Sequence, residues 1–297
     1  MGFKEELNGF SHAKIFLDYP LKKLCSLGVG GNVKYFATVN TLYGLKELLE
    51  LCSKYKKKYK VIGNGTNLLF SDKGFNGVII SIKPLNDVFF KRNEVKVMAG
   101  ASIKKLLDFN LINNLGGVEC LSSIPATIGG LITMNASAFG KSISDYLTTV
   151  ETIKDGKLKI YNKEDCGFKY RQSRFLNKRE VIVSATFCFP KLNGEIINMR
   201  VKNYSEFRRN IQPTGRTCGS VFKNPKGYYA GELIEKANLK GFRIGGAVVS
   251  DLHANFIIAD QTATASDVYL LINKIKFEIK KQFGIILKEE VELIGEF

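Results

Sequence analysis

GNGTNLLFSD, residues 63–72, follows the apolar run YKVI and sets Gly63, Asn64, Gly65, Thr66 and Asn67 in one short turn. Glycine accepts positive φ and lets the main chain approach a ligand closely, so such a turn can aim several backbone N–H groups at one anion. The spacing matches neither GxGxxG nor GxxxxGK[ST], which disfavours the two familiar phosphate-binding α/β folds. The same residues would equally serve as a tight structural turn between strands.

Working outward, Leu42, Leu45, Leu48, Leu49 and Cys52 recur at helical spacing behind Asn40 or Thr41 as a cap, and a helix is expected there. Beyond the turn, LLF, GVIISI and EVKVMAG read as short strands punctuated by glycine and asparagine. Ser102 then caps a helix carrying Ile103, Leu106, Leu107 and Leu111. VETIK, KLKIY and VIVSATFCF, within residues 145–190, predict further strands, and the basic stretch Arg200 to Arg209 reads as a connector. A domain boundary is expected near residue 198, dividing 1–198 from 199–297. In the second part Ala230 to Ala237 reads as helix and HANFIIA (253–259) as strand. Ser266 to Phe283 reads as a long helix stopped by Gly284, and IILKEEVELIG (285–295) as a terminal strand. The class is α+β, without repeats or low-complexity linkers.

The net charge of +16 invites a nucleic-acid reading, yet only 9 of the 44 basic residues are Arg, and a Lys excess describes a solvated surface. The run KYKKKYK (54–60) closes an amphipathic segment and reads as a wet turn. No nucleic-acid partner is expected. Six cysteines are scattered without a CxxC pair, which points to free thiols in a reducing compartment. The start, MGFKEELNGF, lacks the basic and apolar regions of a secretory signal, and no run reaches membrane-span length, so a cytoplasmic location is expected. With only His12 and His253, His-based triads and His-rich metal sites are excluded, and no metal is expected.

Four further segments carry candidate chemistry. LSSIPATIGGLITMNASAFG (121–140) gathers small residues against which a flat ligand or a phosphate could lie, or which could pack two elements closely. GFKYRQSRF (167–175) offers Tyr170, Arg171 and Arg174; an Arg there could clamp a carboxylate or form a surface ion pair. CGSVFKNP (218–225) sets Ser220, Lys223 and Asn224 together as donors for phosphate or sugar oxygens, although a serine in a turn also acts as a cap. Glu289 and Glu290 sit among apolar neighbours in the terminal segment, where strand alternation turns one of them inward.

Taken in order, SLGVGGNVKYF (26–36), GNGTNLLFSD, the IPATIGG stretch, YRQSRF, GSVFKNP, AGELIEKANLKGFRIGGAVVSDLHANFI (230–257) and LKEEVELIG (287–295) resemble the UDP-N-acetylenolpyruvoylglucosamine reductase (MurB) family over nearly the whole chain. The shorter of its two subclasses is indicated. The resemblance implies a two-lobed FAD-binding region of the vanillyl-alcohol-oxidase type, followed by an α+β substrate-binding domain. It implies non-covalent FAD held by Gly63, Asn64, Gly65, Thr66, Asn67 and Leu68, and by Ser122, Ser123, Ile124, Pro125, Ala126, Thr127 and Gly130. It implies NADPH as co-substrate, with hydride passing from NADPH to flavin and on to the enolpyruvyl β-carbon of a UDP-sugar, giving UDP-N-acetylmuramate for peptidoglycan synthesis.

Such a reaction drives negative charge into the substrate carboxylate as an enolate, which calls for preorganised cations and donors. By resemblance Arg171 and Glu290 stabilise the enolate, Ser220 protonates the α-carbon, and Tyr170, Lys223, Asn224 and His253 touch substrate. The terminal strand would return Glu290 to the active site, with Glu289 solvated, and no obligate protein partner is implied. Ser123, Ala126 and Ser137 stand where the family usually carries glycine, and Cys25 where threonine is usual. Another flavoprotein of the same fold, acting on an alcohol or hydroxy acid, would have no reason to keep Ser220, Lys223, Asn224 and Glu290 together. A basic binder of RNA or nucleotides would be colourless and salt-sensitive in binding.

Overall fold

In the computed structural model, which describes residues 2–176 and 180–297, helix Leu42–Lys54 forms where its periodicity predicts. Thr41 Oγ1 accepts the Gly44 N–H at 3.0 Å, and Leu45, Leu48, Leu49 and Cys52 are buried on one face. Helix Ile103–Ile112 likewise starts at Ser102, whose hydroxyl accepts the Lys105 N–H at 3.1 Å. Helix Ala265–Phe283 is capped by Thr264 and stopped by Gly284 in the left-handed conformation at φ 70°. Its stripe of Val268, Leu271, Ile272, Ile275 and Ile279 is buried throughout.

The chain forms two compact units. The first comprises Met1–Leu17, Tyr35–Asn64 and Gly77–Glu206, and the second Asp18–Lys34, Gly65–Asn76 and Phe207–Phe297. The sequence boundary near residue 198 therefore lies close to the last crossing, while two earlier segments belong with the C-terminal one. The limits of Asp18–Lys34 fall inside strands Ala13–Pro20 and Asn32–Val39, where no break in local pattern marks them.

A four-stranded sheet runs in the order Ala13–Pro20, Asn32–Val39, Phe75–Ser81, Tyr59–Ile62, the last pair parallel. A five-stranded sheet in the first unit has the order Lys157–Asn162, Leu147–Lys154, Val181–Phe187, Glu94–Met98, Val88–Lys91, with each pair antiparallel. Its central strand Val181–Phe187 is buried at every residue, which is why it reads as an unbroken apolar run. Within this sheet Lys96 Nζ meets both carboxylate oxygens of Glu151 at 2.7 Å, and Ser184 Oγ donates to the same carboxylate at 2.8 Å.

The second unit packs helix Ala265–Phe283 with a three-stranded sheet, Arg243–Ile244, Ala247–Val249 and Ile257–Ala259. Strand Glu292–Ile294 pairs in parallel with Leu68–Phe70. Thus the terminal segment returns beside the end of the Gly63 turn, although regular strand occupies only its last part.

Two expectations are corrected. Arg200 to Arg209 does carry the chain from the first unit into the second, between Glu206 and Phe207, but it does so inside helix Gly194–Ile211, which buries Ile197 alone. Its apolar stripe of Ile197, Val201 and Tyr204 is narrow among charged residues, so the composition masks the helix. HANFIIA is strand only over Ile257–Ala259; His253 to Asn255 form a turn in which the Asn255 N–H meets His253 Nδ1 at 3.2 Å.

Candidate active site

In the first unit, the turn at Gly63 and the stretch from Ser122 come together. Asn64 Nδ2 donates to the Pro125 carbonyl at 3.0 Å. Gly63 leaves no room for a side chain, since a Cβ there would lie 2.1 Å from Thr127 Oγ1. Thr127 caps helix Ile128–Met134 through the Gly130 N–H, and the Gly129 N–H donates to the Ala99 carbonyl at 2.8 Å. Asn64, Ser102, Lys104, Ser122, Ser123, Ile124, Pro125 and Ala126 line a cleft of about 160 Å³. Ser123 Oγ donates to Ser205 Oγ at 3.0 Å, so the helix that the sequence concealed supports this wall.

Tyr170 and Arg171 form the tip of a two-residue turn closed by reciprocal backbone hydrogen bonds of 3.1 Å between Lys169 and Gln172. Arg171 takes a left-handed φ of 51°, a conformation disfavoured for a side-chain-bearing residue. Its Nη1 donates to Ser137 Oγ at 3.0 Å, and Cζ lies 5.5 Å from the Tyr170 ring centre. Arg174 is engaged elsewhere, stacked 3.8 Å from the Tyr161 ring and donating to the Asp165 carbonyl at 3.0 Å.

The second unit brings Ser220 and Glu290 onto neighbouring backbone. The Glu290 N–H donates to the Val221 carbonyl at 2.7 Å, Phe222 bridges Glu289, and the Lys223 N–H donates to the Lys288 carbonyl at 2.9 Å. Asn255 holds the other side: its Oδ1 accepts the Phe222 N–H at 2.9 Å and its Nδ2 donates to the Phe222 carbonyl at 2.8 Å. This buried clamp went unnoticed in the sequence, because an Asn that mimics a strand partner has no local signature. Glu289, expected to be solvated, is half-buried and paired with Lys276 Nζ at 2.6 Å.

Asn67 Nδ2 donates to the Glu290 carbonyl at 2.9 Å, and the Asn67 carbonyl accepts the Glu292 N–H at 3.0 Å. Gly65 needs its φ of 67° and its missing side chain, for a Cβ would fall 1.8 Å from the Leu24 carbonyl oxygen. Thr66 is half-buried beside it, and Leu68 is buried in the strand that follows.

A cleft of about 330 Å³ is lined by Ser220, Asn224, Tyr229, Gly231, Glu232, Glu235, Leu252, His253, Ala254 and Asn255. Asn224 Oδ1 accepts the Ala230 N–H at 3.0 Å, which ties it to the first turn of helix Ala230–Lys236 in the wall of this cleft. Burial holds His253 below its ordinary value of 6.5, so the ring is neutral at pH 7, and Nδ1 acts as an acceptor. Among the described residues no helix is long and apolar enough to cross a membrane, and no cluster of His, Cys, Asp and Glu could hold a metal ion.

Residues 33–159 match the FAD binding domain family model, and residues 212–294 match the C-terminal domain of UDP-N-acetylenolpyruvoylglucosamine reductase. The chain is 38% identical over 295 residues to the UDP-N-acetylenolpyruvoylglucosamine reductase of Halalkalibacterium halodurans, covering 98% of both chains. It belongs to the UDP-N-acetylenolpyruvoylglucosamine reductase family.

The family's enzyme from Carboxydothermus hydrogenoformans is 38% identical over 296 residues, covering 99% of this chain and 98% of that one. The crystal structure of UDP-N-acetylenolpyruvylglucosamine reductase (MurB) from Thermus caldophilus superposes with a TM-score of 0.81 and 32% identity, over 95% of this chain and 99% of that chain. BBE-like 1 from Physcomitrella patens shares the fold alone, with a TM-score of 0.51 and 14% identity over 64% of this chain and 45% of that one. This family member is an FAD-dependent oxidoreductase with a vanillyl-alcohol-oxidase-type FAD-binding region and a C-terminal α+β domain.

Proposed function

We propose that the protein reduces UDP-N-acetylenolpyruvoylglucosamine to UDP-N-acetylmuramate with NADPH, in the cytoplasm, as a step of peptidoglycan precursor synthesis. The observation that carries this reading is the joint placement of Ser220 and Glu290 on adjoining backbone beside a cleft that also presents Asn224 and His253. A flavin oxidase of the same fold acting on an alcohol has no use for that set. The scattered free thiols agree with a reducing compartment.

The residues present fit FAD. The first-unit cleft offers three serine side chains, the Asn64 side chain and a lysine around a small concavity. Its volume admits a polar portion of the dinucleotide rather than the whole. Gly63 to Leu68, with Ser122 to Thr127 and Gly130, would hold the cofactor. When bound, the flavin supplies the hydride that the enolpyruvyl β-carbon receives.

This chain's own groups do the rest. Arg171 meets the substrate carboxylate, where charge accumulates, through the planar fork of N–H donors on its guanidinium. Glu290, in its protonated form, donates a hydrogen bond to the same enolate. The Ser220 hydroxyl delivers the proton to the α-carbon; a weak acid in water, it relies on a fixed position, which the clamp of Asn255 on Phe222 provides. Lys223, Asn224, Tyr170 and His253 contact the rest of the substrate, the neutral imidazole of His253 acting as a hydrogen-bond donor through Nε2.

The test is spectroscopic. Purified protein is expected to be yellow, to bleach anaerobically with NADPH and to regain its colour on addition of UDP-N-acetylenolpyruvoylglucosamine. A protein that bleaches but regains colour only with oxygen would point to a different substrate.

A further inference from the structure

Asn135, Ala136 and Ser137 follow helix Ile128–Met134, and this short segment holds the Arg171 turn at two points. Asn135 ends the helix in a left-handed conformation, φ 43°, and its Nδ2 donates to the Lys169 carbonyl at 3.1 Å, fixing the base of the turn. Two residues on, Ser137 receives the guanidinium itself: Arg171 Nη1 lies 3.0 Å from Ser137 Oγ and 3.4 Å from the Ser137 carbonyl oxygen. Ser137 is in turn held in a ribbon, Ser137–Ala138 against Lys141–Ser142, in register with Ser142.

We propose that Ser137 is a positioning residue, whose hydroxyl fixes the plane of the Arg171 guanidinium for the substrate carboxylate. This rests on the reading of Arg171 as the group that meets that carboxylate.

The chemistry suits such a role. An arginine side chain has several rotatable bonds, and an electrostatic group contributes most to a transition state when its orientation is set beforehand. A carboxylate partner would orient the guanidinium but also neutralise it. A hydroxyl and a carbonyl accept from Nη1 without bringing a negative charge of their own. The backbone agrees, since the disfavoured φ of Arg171 persists only where surrounding contacts over-determine it, and Asn135 and Ser137 supply such contacts. A glycine at 137 would keep only the longer carbonyl contact.

The experiment is a double-mutant cycle on the flavin-loaded protein with Ser137→Ala, Arg171→Ala and the double variant, together with Ser137→Thr. Two quantities are read: the single-turnover rate of flavin reoxidation by UDP-N-acetylenolpyruvoylglucosamine, and the affinity of the oxidised protein for the same compound by calorimetry. Ser137→Ala is expected to slow reoxidation about three- to tenfold and to weaken binding, the size of one ordinary net hydrogen bond. Ser137→Thr is expected to restore both to within about twofold. In the Arg171→Ala background the same Ser137→Ala change is expected to cost less than about twofold.

Equal losses in both backgrounds would overturn the proposal, because the hydroxyl would then act independently of Arg171. So would a harmless Ser137→Ala in a protein that Arg171→Ala impairs. A harmless Arg171→Ala would instead remove the reading on which the proposal stands, and the proposal with it. If Ser137→Ala folds poorly, Ser137→Gly, which retains the carbonyl contact, gives the same comparison.

Discussion

Gly65 shows how a single residue can serve both the fold and the site. Its sequence context gave only a turn with exposed N–H groups; the structure adds the Leu24 carbonyl, against which any Cβ would collide, and a left-handed φ. Gly65→Val must therefore move the loop that precedes strand Leu68–Phe70. We expect a loss of roughly 2 kcal/mol or more in urea denaturation, from backbone strain and overlap together, and a lower flavin-to-protein ratio after purification. A fully flavinated Gly65→Val protein would show that the turn has no part in cofactor binding. The candidate residues were legible here because chemistry leaves composition: glycines, an Arg in an apolar setting, a Ser after a glycine. Asn255 and Ser137 were not read as supports, since a residue that holds another is identified by a partner 33 or 34 positions away, with no local pattern.

At the scale of elements, periodicity found the longer helices that bury a broad face and missed Gly194–Ile211, which does not, together with the short helices Phe3–Asn8 and Ile128–Met134. Helix Leu42–Lys54 buries a whole stripe, whereas Gly194–Ile211 buries a single residue, and a run of charge hid its spacing. Strands were found where apolar runs were continuous, as at Val181–Phe187, and overextended where backbone pairing lapses, as at residues 253–256 and 285–288.

The five-stranded sheet also contains a charged group that no strand pattern announces. Burial raises the Glu151 carboxyl, but hydrogen bonds from Lys96 and Ser184 outweigh it and hold the group below its ordinary 4.5. A carboxyl depressed in the folded state contributes stability above its unfolded value and loses that contribution as pH falls through the lower folded value. Acid titration should therefore show a fall in stability beginning near pH 4.5 that is smaller in Glu151→Gln than in the parent protein. Lys96→Met, which strands the carboxylate, should cost about 3 kcal/mol at pH 7, while Lys96→Met with Glu151→Leu should recover most of it. Thermal and urea denaturation of the three variants check both statements.

For the molecule as a whole, the α+β class and its FAD-binding and substrate-binding parts could be read from the order of the segments, whereas the path of the chain could not. Residues 18–34 and 65–76 belong to the same compact unit as residues 207–297, so Asn64 and Gly65, neighbours in one turn, fall in different units. Sequence reading assigns domains as contiguous blocks, and excursions of so few residues carry no compositional shift. The charge of +16 misleads at this scale unless its Lys bias is weighed.

In the proposed cycle Ser220 supplies a proton to the substrate and takes no part in accepting reducing equivalents from NADPH. Anaerobic stopped-flow absorbance on Ser220→Ala separates the two halves of the cycle. If the proposed role holds, bleaching by NADPH keeps its unaltered rate, and reoxidation by UDP-N-acetylenolpyruvoylglucosamine is slowed by about 100-fold or more. Equal slowing of both halves, or an unimpaired second half, would contradict it.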